Sequence, residues 1–310
     1  MESFPFALAA IDIDDTLLGP DGLIDVENRR AVGLLRDLGC RVMLASGRRH
    51  ANMLPFCDDL GLDEYVVSCQ GARVEHSSSG EVLRRACLSR DETLAVVTAG
   101  LERGHTVLLL LADGVYAQAE TPWVDTYLRE SGDVPVTITN LSALARTPAE
   151  KVVWAAAPSE IAGAADEATA RYGGPLTVMV TNDWYLEFTA LGATKAAGVA
   201  SVASALGIPR ERVLAFGDGN NDVPLLGWAG LGVAMPHGRP AACRAASLVG
   251  PEGDPESALA RAVDSVVQCY MSGQAIQPAY STLAILPSFR GVSPRNSTPA
   301  ARAMNLECVV

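Results

Sequence analysis

Short apolar runs alternate with helical patterns at the start of the chain. Residues 6–12, FALAAID, form a continuous apolar run that ends in an acid, which is typical of a strand buried on both faces. From residue 25 onward apolar side chains recur at helical spacing, and Gly39 stands where such a helix would end. Residues 41–45, RVMLA, then predict a second strand. Strand, helix and strand in this order predict a parallel sheet with right-handed crossovers.

The pattern changes in the middle of the chain. After a third short strand, predicted over residues 64–69, hairpins and helices alternate up to about residue 188. The helices are predicted over residues 90–103, 121–130 and 159–172, and the strands and hairpins over 106–118, 136–139, 151–157 and 176–188. This stretch is long enough to be a domain of its own. The parallel-sheet pattern then returns, with a helix through Val199 and Val202 and a strand over 213–216.

One domain is therefore split in sequence by another. We assign residues 1–75 and 189–270 to a discontinuous α/β core with a Rossmann-like parallel sheet, and residues 76–188 to an inserted α+β domain. Residues 271–310 contain only four charged residues, and they show no sustained periodicity. We expect this segment to be a flexible C-terminal tail.

Composition excludes several classes of protein. The chain of 310 residues is 49% apolar and 19% charged, which suits a globular protein with a sizeable core. Its 36 acids against 24 Lys and Arg give a net charge of -12, so nucleic acid and anionic membranes are not expected as partners. The seven cysteines are scattered without a C-x-x-C pair, and the N-terminus lacks a basic leader. We expect a cytoplasmic protein and leave its oligomeric state open.

Four polar clusters stand at or near predicted strand ends or helix starts: DIDDT at 12–16, SGR at 46–48, Lys195, and GDGNND at 217–222. In open α/β sheets ligands bind outside the carboxyl ends of the strands, so we expect these clusters to converge. The acids among them would repel one another unless a cation lay between them, and Mg²⁺ prefers such oxygen ligands. Together with a lysine and two hydroxyls, they favour a site for a phosphoryl group.

In order and spacing, the four clusters resemble the motifs of the haloacid dehalogenase (HAD) superfamily, over the chain to about residue 270. The insertion, with LEFTALGATK at 186–195 and GVAMPHG at 232–238, resembles the Cof-type sugar-phosphatase branch with its C2B-type cap. The resemblance implies a Mg²⁺-dependent phosphatase of small phosphorylated metabolites, with sugar phosphates as the expected substrates. It also implies an aspartyl-phosphate intermediate.

The resemblance implies a role for each motif residue. Asp12 would be the nucleophile, and Asp14 would act as general acid and then as general base. The phosphoryl oxygens would be held by Thr16, Ser46, Gly47 and Lys195. Mg²⁺ would be bound or supported by Asp12, the Asp14 backbone carbonyl, Asp218, Asn221 and Asp222. A phosphohexomutase of the same superfamily and a non-catalytic phosphometabolite-binding protein are the alternatives.

Four positions depart from the family pattern. Asp15 and Ala196 stand where Gly is usual, and Gln70 and His237 stand where Asn is usual. We expect Asp15 to be solvated and His237 to be a loop residue. Arg48 could steer the phosphate or form a surface ion pair. Four aromatic residues of the insertion could line a substrate lid, but we expect them to pack in its core instead: Trp123, Trp154, Trp184 and Tyr185.

Overall fold

A computed structural model describes residues 4–132 and 135–272, which lie in one compact unit. The first part of the core consists of β1 (Leu8–Ile11), α1 (Val26–Asp37), β2 (Arg41–Leu44), α2 (His50–Leu60), β3 (Tyr65–Ser68), β4 (Arg73–His76) and β5 (Val82–Arg85). Asp25 caps α1, since its side chain accepts a hydrogen bond from the backbone N–H of Glu27. All four residues of β1 are buried, as expected of a central strand.

The middle of the chain forms a separate six-stranded sheet, which we call the cap sheet. Its elements are α3 (Arg90–Glu102), β6 (Thr106–Leu110), β7 (Val115–Ala117), α4 (Pro122–Ser131), β8 (Val136–Ile138), α5 (Leu141–Leu144), β9 (Lys151–Ala155), α6 (Pro158–Tyr172), β10 (Leu176–Asn182) and β11 (Tyr185–Ala190). The strand order is β10-β11-β9-β6-β7-β8, and all pairs are antiparallel except β7 with β8. One apolar cluster of this region, around Trp154 and Phe188, includes residues of α3 and α6. The other includes Tyr127 of α4 together with Cys69 from the core.

The chain then returns to the core. The remaining elements are α7 (Lys195–Ala205), β12 (Val213–Gly217), α8 (Val223–Trp228), β13 (Leu231–Ala234), α9 (Pro240–Ala245), β14 (Leu248–Val249) and α10 (Ala258–Met271). The core sheet is parallel throughout, in the order β14-β13-β12-β1-β2. Ile11 at the end of β1 pairs with Phe216 of β12 and with Leu44 of β2. The residues that follow these three strands therefore emerge at one edge of the sheet.

The predicted architecture is confirmed: a parallel-sheet α/β core is interrupted by an α+β region with its own sheet. β4 and β5 were not predicted, and they pair in an antiparallel sheet with β3 of the core. The division at residues 75, 188 and 270 stays a prediction. Within the described ranges, no helix is both long and apolar enough to cross a membrane.

α10 was also not predicted, although Leu259, Val263 and Val266 follow a helical spacing and are buried against the core. This helix packs on α1 and closes one face of the core. It ends at Met271, the first residue assigned to the tail. From residue 273 onward the predicted tail lies outside the described residues.

Candidate active site

Three acids meet at the edge of the core sheet where β1 and β12 end. Carboxylate oxygens of Asp12, Asp218 and Asp222 lie within 4.8 Å of one another. Burial raises the pKa of Asp12 well above its usual value, and the charge of Asp222 raises it further. Burial, Asp222 and Asp15 raise the pKa of Asp218 to about 8. A cation bound here would relieve this repulsion, and the all-oxygen donor set fits Mg²⁺.

Lys195 lies between two of these acids. It is the first residue of α7, and it is fully buried. Its Nζ donates to Asp12 Oδ1 at 2.6 Å and to Asp222 Oδ1 at 2.7 Å. Burial alone would lower the pKa of Lys195, but the two carboxylates outweigh that effect and raise it. The lysine is therefore a fixed positive charge beside Asp12.

Hydrogen bonds hold the loop that follows β12. Asp222 Oδ2 accepts from the backbone N–H groups of Asp218, at 3.1 Å, and Gly219, at 2.9 Å. The Thr16 hydroxyl donates to Asp218 Oδ1 at 3.0 Å. The Ser46 hydroxyl accepts from the backbone N–H of Arg48 at 3.2 Å. The four predicted clusters are thus brought together, and most of their side chains already have protein partners.

Asp14 faces the cleft next to Asp12 and forms an ion pair with Arg48. Arg48 Nη2 donates to Asp14 Oδ1 at 2.6 Å, and Nε donates to Oδ2 at 3.1 Å. The guanidinium carbon of Arg48 lies 5.3 Å from the centre of the Phe56 ring. Arg48 was expected either to steer the phosphate or to form a surface ion pair. The structure shows the ion pair, and both of its residues line the cleft.

Two departures from the family pattern contact each other. Asp15 has a φ of 55°, a left-handed conformation that favours glycine and that aspartate tolerates better than most residues. Its side chain is exposed, as predicted. His237 Nε2 lies 2.8 Å from the Asp15 backbone carbonyl oxygen. His237 thus supports the turn that follows Asp12 and Asp14.

The site opens into a cleft of about 510 Å³ between the core loops and the cap sheet. Core residues such as Asp12, Asp14 and Ser46 line one side of it. Trp184 and Tyr185 line the other side and also pack against an apolar cluster of the cap, so a role in a substrate lid stays a prediction. Trp154 is fully buried in the cap, as the packing interpretation predicted. Trp123 is partly buried against an apolar cluster of the cap.

Sequence analysis missed a buried network that joins the cap to the core. Lys151 Nζ donates to the Gly47 carbonyl at 2.9 Å and to Glu187 Oε1 at 2.8 Å. Glu187 Oε2 accepts from Gln70 Nε2 at 2.8 Å, and Gln70 Oε1 accepts from Asn221 Nδ2 at 3.2 Å. We call this set the interdomain network. An acid within the predicted hairpin strand β11, between Leu186 and Phe188, was the available signal, because a buried charge needs a partner.

A parallel α/β core, whose buried carboxylates and lysine lie beside a cleft under a cap, is typical of an enzyme. The sequence model of the haloacid dehalogenase-like hydrolase family matches residues 9–263, and the chain belongs to this family. The predicted resemblance is therefore confirmed.

Individual relatives agree with this assignment. The chain is 28% identical over 250 residues to the 5-amino-6-(5-phospho-D-ribitylamino)uracil phosphatase YitU of Bacillus subtilis, covering 77% of this chain and 89% of the relative. It is 26% identical over 233 residues to an HMP-PP phosphatase of Escherichia coli, covering 75% and 85%. The structure of the HAD subclass IIB sugar phosphatase BT4131 superposes with a TM-score of 0.73 at 19% identity, covering 86% of this chain and 99% of that one. This last likeness shows a shared fold.

Proposed function

We propose that the protein is a Mg²⁺-dependent phosphatase of small phosphorylated metabolites, with sugar phosphates as the expected class, and that Asp12 is its nucleophile. The observation that carries the proposal is the position of Asp12. Its carboxylate is buried at the inner end of the cleft and held by Lys195 at 2.6 Å, with Asp14 beside it. A carboxylate so placed can attack a phosphoryl group that enters from the cleft.

The first half of the reaction transfers the phosphoryl group to the protein. An Asp12 oxygen attacks phosphorus in line, and the bond from phosphorus to the ester oxygen breaks. Asp14, exposed to the cleft, donates a proton to the departing alcohol oxygen. Lys195 and the backbone of the Ser46-Gly47 turn hold the phosphoryl oxygens. The product of this half-reaction is an aspartyl phosphate on Asp12.

The second half releases phosphate. Asp14 is now a carboxylate and accepts a proton from a water molecule, which attacks the phosphorus of the aspartyl phosphate. The bond to the Asp12 oxygen breaks, and the free carboxylate is restored. When Asp14 is a carboxylate, paired hydrogen bonds from Arg48 orient it toward the cleft.

Mg²⁺ would be held by Asp12, Asp218 and the Asp14 backbone carbonyl, with Asn221 and Asp222 in support. When bound, it neutralises negative charge on the phosphoryl group and on the acids around it. Asp222 already uses Oδ1 for Lys195 and Oδ2 for two backbone N–H groups. We therefore assign it mainly to orienting the loop that carries Asp218.

The size of the cleft and the relatives support a small substrate. A volume of about 510 Å³ lies in the usual range for small-molecule sites. The two relatives described above are named as phosphatases, one for a phosphorylated ribitylaminouracil and one for HMP-PP. These names support phosphate-ester chemistry for this chain.

Phosphate release from p-nitrophenyl phosphate and from a panel of phosphorylated metabolites, with and without Mg²⁺, tests the proposal. We expect Mg²⁺-stimulated turnover, and we expect Asp12→Asn to lower kcat by about a thousandfold or more without unfolding the protein. Asp21→Asn, an exposed acid outside the sheet edge, is the matched control. An Asp12→Asn protein with unchanged kcat would remove Asp12 as the nucleophile. Isomerised sugar phosphate without free phosphate would indicate a mutase.

A further inference from the structure

The cap side of the cleft carries polar groups that the proposed mechanism does not use. Tyr185 is 6% exposed and lines the cleft, yet its hydroxyl has no hydrogen-bond partner of normal geometry among the described residues. The same holds for the indole Nε1 of Trp184 and for the hydroxyl of Ser131. A buried polar group without a well-formed hydrogen bond is destabilising. Three such groups on one side of a cleft retain hydrogen-bonding capacity for a ligand.

Glu130 supplies an acceptor on the same wall. It lies in the last turn of α4, next to Ser131, and it lines the cleft. Burial raises the pKa of the Glu130 carboxyl, while long or poorly aligned hydrogen bonds from Tyr185 and Trp184 act to lower it. The carboxylate therefore lies beside both donors, and all three project into one space.

This wall faces the leaving-group side of the site. Asp14, the proposed general acid, lines the same cleft as Glu130, and its charge also raises the pKa of Glu130. The end of α4 is anchored to the core, because Asn52 Nδ2 donates to the Ser131 carbonyl at 2.5 Å. The polar wall is thus held in position before any substrate binds.

We propose that Glu130, Trp184 and Tyr185 recognise the leaving group, and that they select an uncharged, polyhydroxylated one. A hydroxyl group can both accept from Tyr185 or Trp184 and donate to Glu130, so it satisfies donor and acceptor together. A second anionic group placed against this wall would be repelled by Glu130, whereas the charge of Asp14 is already paired with Arg48. This inference rests on the proposed phosphatase activity and adds the residues that set its specificity.

The test compares esters whose leaving groups differ only in hydroxyls. The ratio of kcat/KM for sorbitol 6-phosphate to that for n-hexyl phosphate is measured with Mg²⁺, and p-nitrophenyl phosphate reports basal activity. We expect the unmodified protein to prefer the polyol ester by about tenfold or more. Tyr185→Phe and Glu130→Gln should each lower that ratio about tenfold, which is the loss of one hydrogen bond, while kcat/KM for n-hexyl phosphate changes less than about twofold.

Glu102→Gln, at the exposed end of α3, is the matched control and should leave the ratio unchanged. Equal losses on both esters would show that the wall is structural and would overturn the inference, as would an unmodified protein without preference for the polyol. Turnover of p-nitrophenyl phosphate separates this failure from that of the proposed function. If no ester is hydrolysed with Mg²⁺, the phosphatase proposal falls, and the inference falls with it.

Discussion

Buried ionisable side chains in this protein are matched by partners to different degrees. Lys195 has two carboxylates, and Glu150, which is 2% exposed, has Arg73 at 3.4 Å and Arg85 at 3.6 Å. The buried His50 side chain has fewer partners. Its Nε2 lies 3.4 Å from Glu75 Oε1, and its Nδ1 has no hydrogen-bond partner in the described part of the chain. Burial lowers the pKa of His50, Glu75 opposes that shift, and Arg73 adds to it.

This shift predicts a loss of stability in mild acid. The unfolded chain binds a proton at His50 below about pH 6.5, whereas the folded protein resists binding it. The free energy of unfolding should therefore fall as the pH decreases below about 6.5, by at most about 1.4 kcal/mol per pH unit from this group. His50→Gln should reduce the difference in unfolding free energy between pH 7.5 and pH 5.5, measured by urea denaturation. The more exposed His76 provides the control, and an equal reduction by His76→Gln would contradict the assignment to His50.

At the scale of elements, the interdomain network links two loops of the core through two strands of the cap. Lys151 begins β9, and Glu187 lies in the middle of β11, so both project from the cap sheet toward the core. A Cβ on Gly47 would lie 2.4 Å from Gln70 Nε2, so a larger residue here would displace the Gln70 side chain from the network. The network therefore requires the Ser46-Gly47 turn, the Gln70 turn and the cap strands to be in place together.

Breaking the buried pair should destabilise the protein strongly. Glu187→Ala leaves the Lys151 charge buried without its carboxylate, and we expect a loss of about 3–5 kcal/mol in the free energy of unfolding. Asp183→Ala removes a different contact between cap and core, the exposed ion pair with Arg239 at 3.4 Å, and should cost less than about 1 kcal/mol. Denaturant titrations of both variants make the comparison. Similar losses in the two would show that burial does not set the strength of these contacts.

Elements with one clear local signal were predictable. β1 has a continuous apolar run, and α3 begins with the capping box of Ser89 and Glu92. β4 and β5 read RVEH and VLRR, which lack both a long apolar run and regular alternation. Their pairing with β3 depends on contacts made elsewhere in the fold. Such strands are not visible in a single sequence.

At the scale of the whole molecule, the cap contacts the core around the candidate site. Contacts from separate cap segments reach the core: Asn52 with Ser131, Lys151 with Gly47, and Asn220 Nδ2 with the Val180 carbonyl at 3.3 Å. The chain also crosses between the two regions twice, on either side of the insertion. We therefore expect cap and core to unfold together.

A ligand of the core loops should then stabilise the cap as well. Mg²⁺ with orthovanadate, an analogue of the transferring phosphoryl group, should raise the midpoint of one thermal transition by about 5 °C or more at saturating concentration. Differential scanning calorimetry, with Mg²⁺ alone as the control, measures this shift. Two transitions, of which only one responds to the ligand, would show that cap and core are not coupled.

The sequence by itself determined most of the order of the elements, the presence of an inserted α+β region and the four polar clusters of the candidate site. These follow from local physical rules: apolar period, turn residues, and acids at strand ends. Only the tertiary structure decided which cap side chains reach the cleft, since Glu130, Lys151, Trp184 and Glu187 are distant in sequence from Asp12. These side chains come close to Asp12 because of how the cap sheet packs against the core loops. Such long-range packing produces no periodic pattern in the sequence. The acids and the lysine of the candidate site were therefore predictable, and the cap side chains that face them were not.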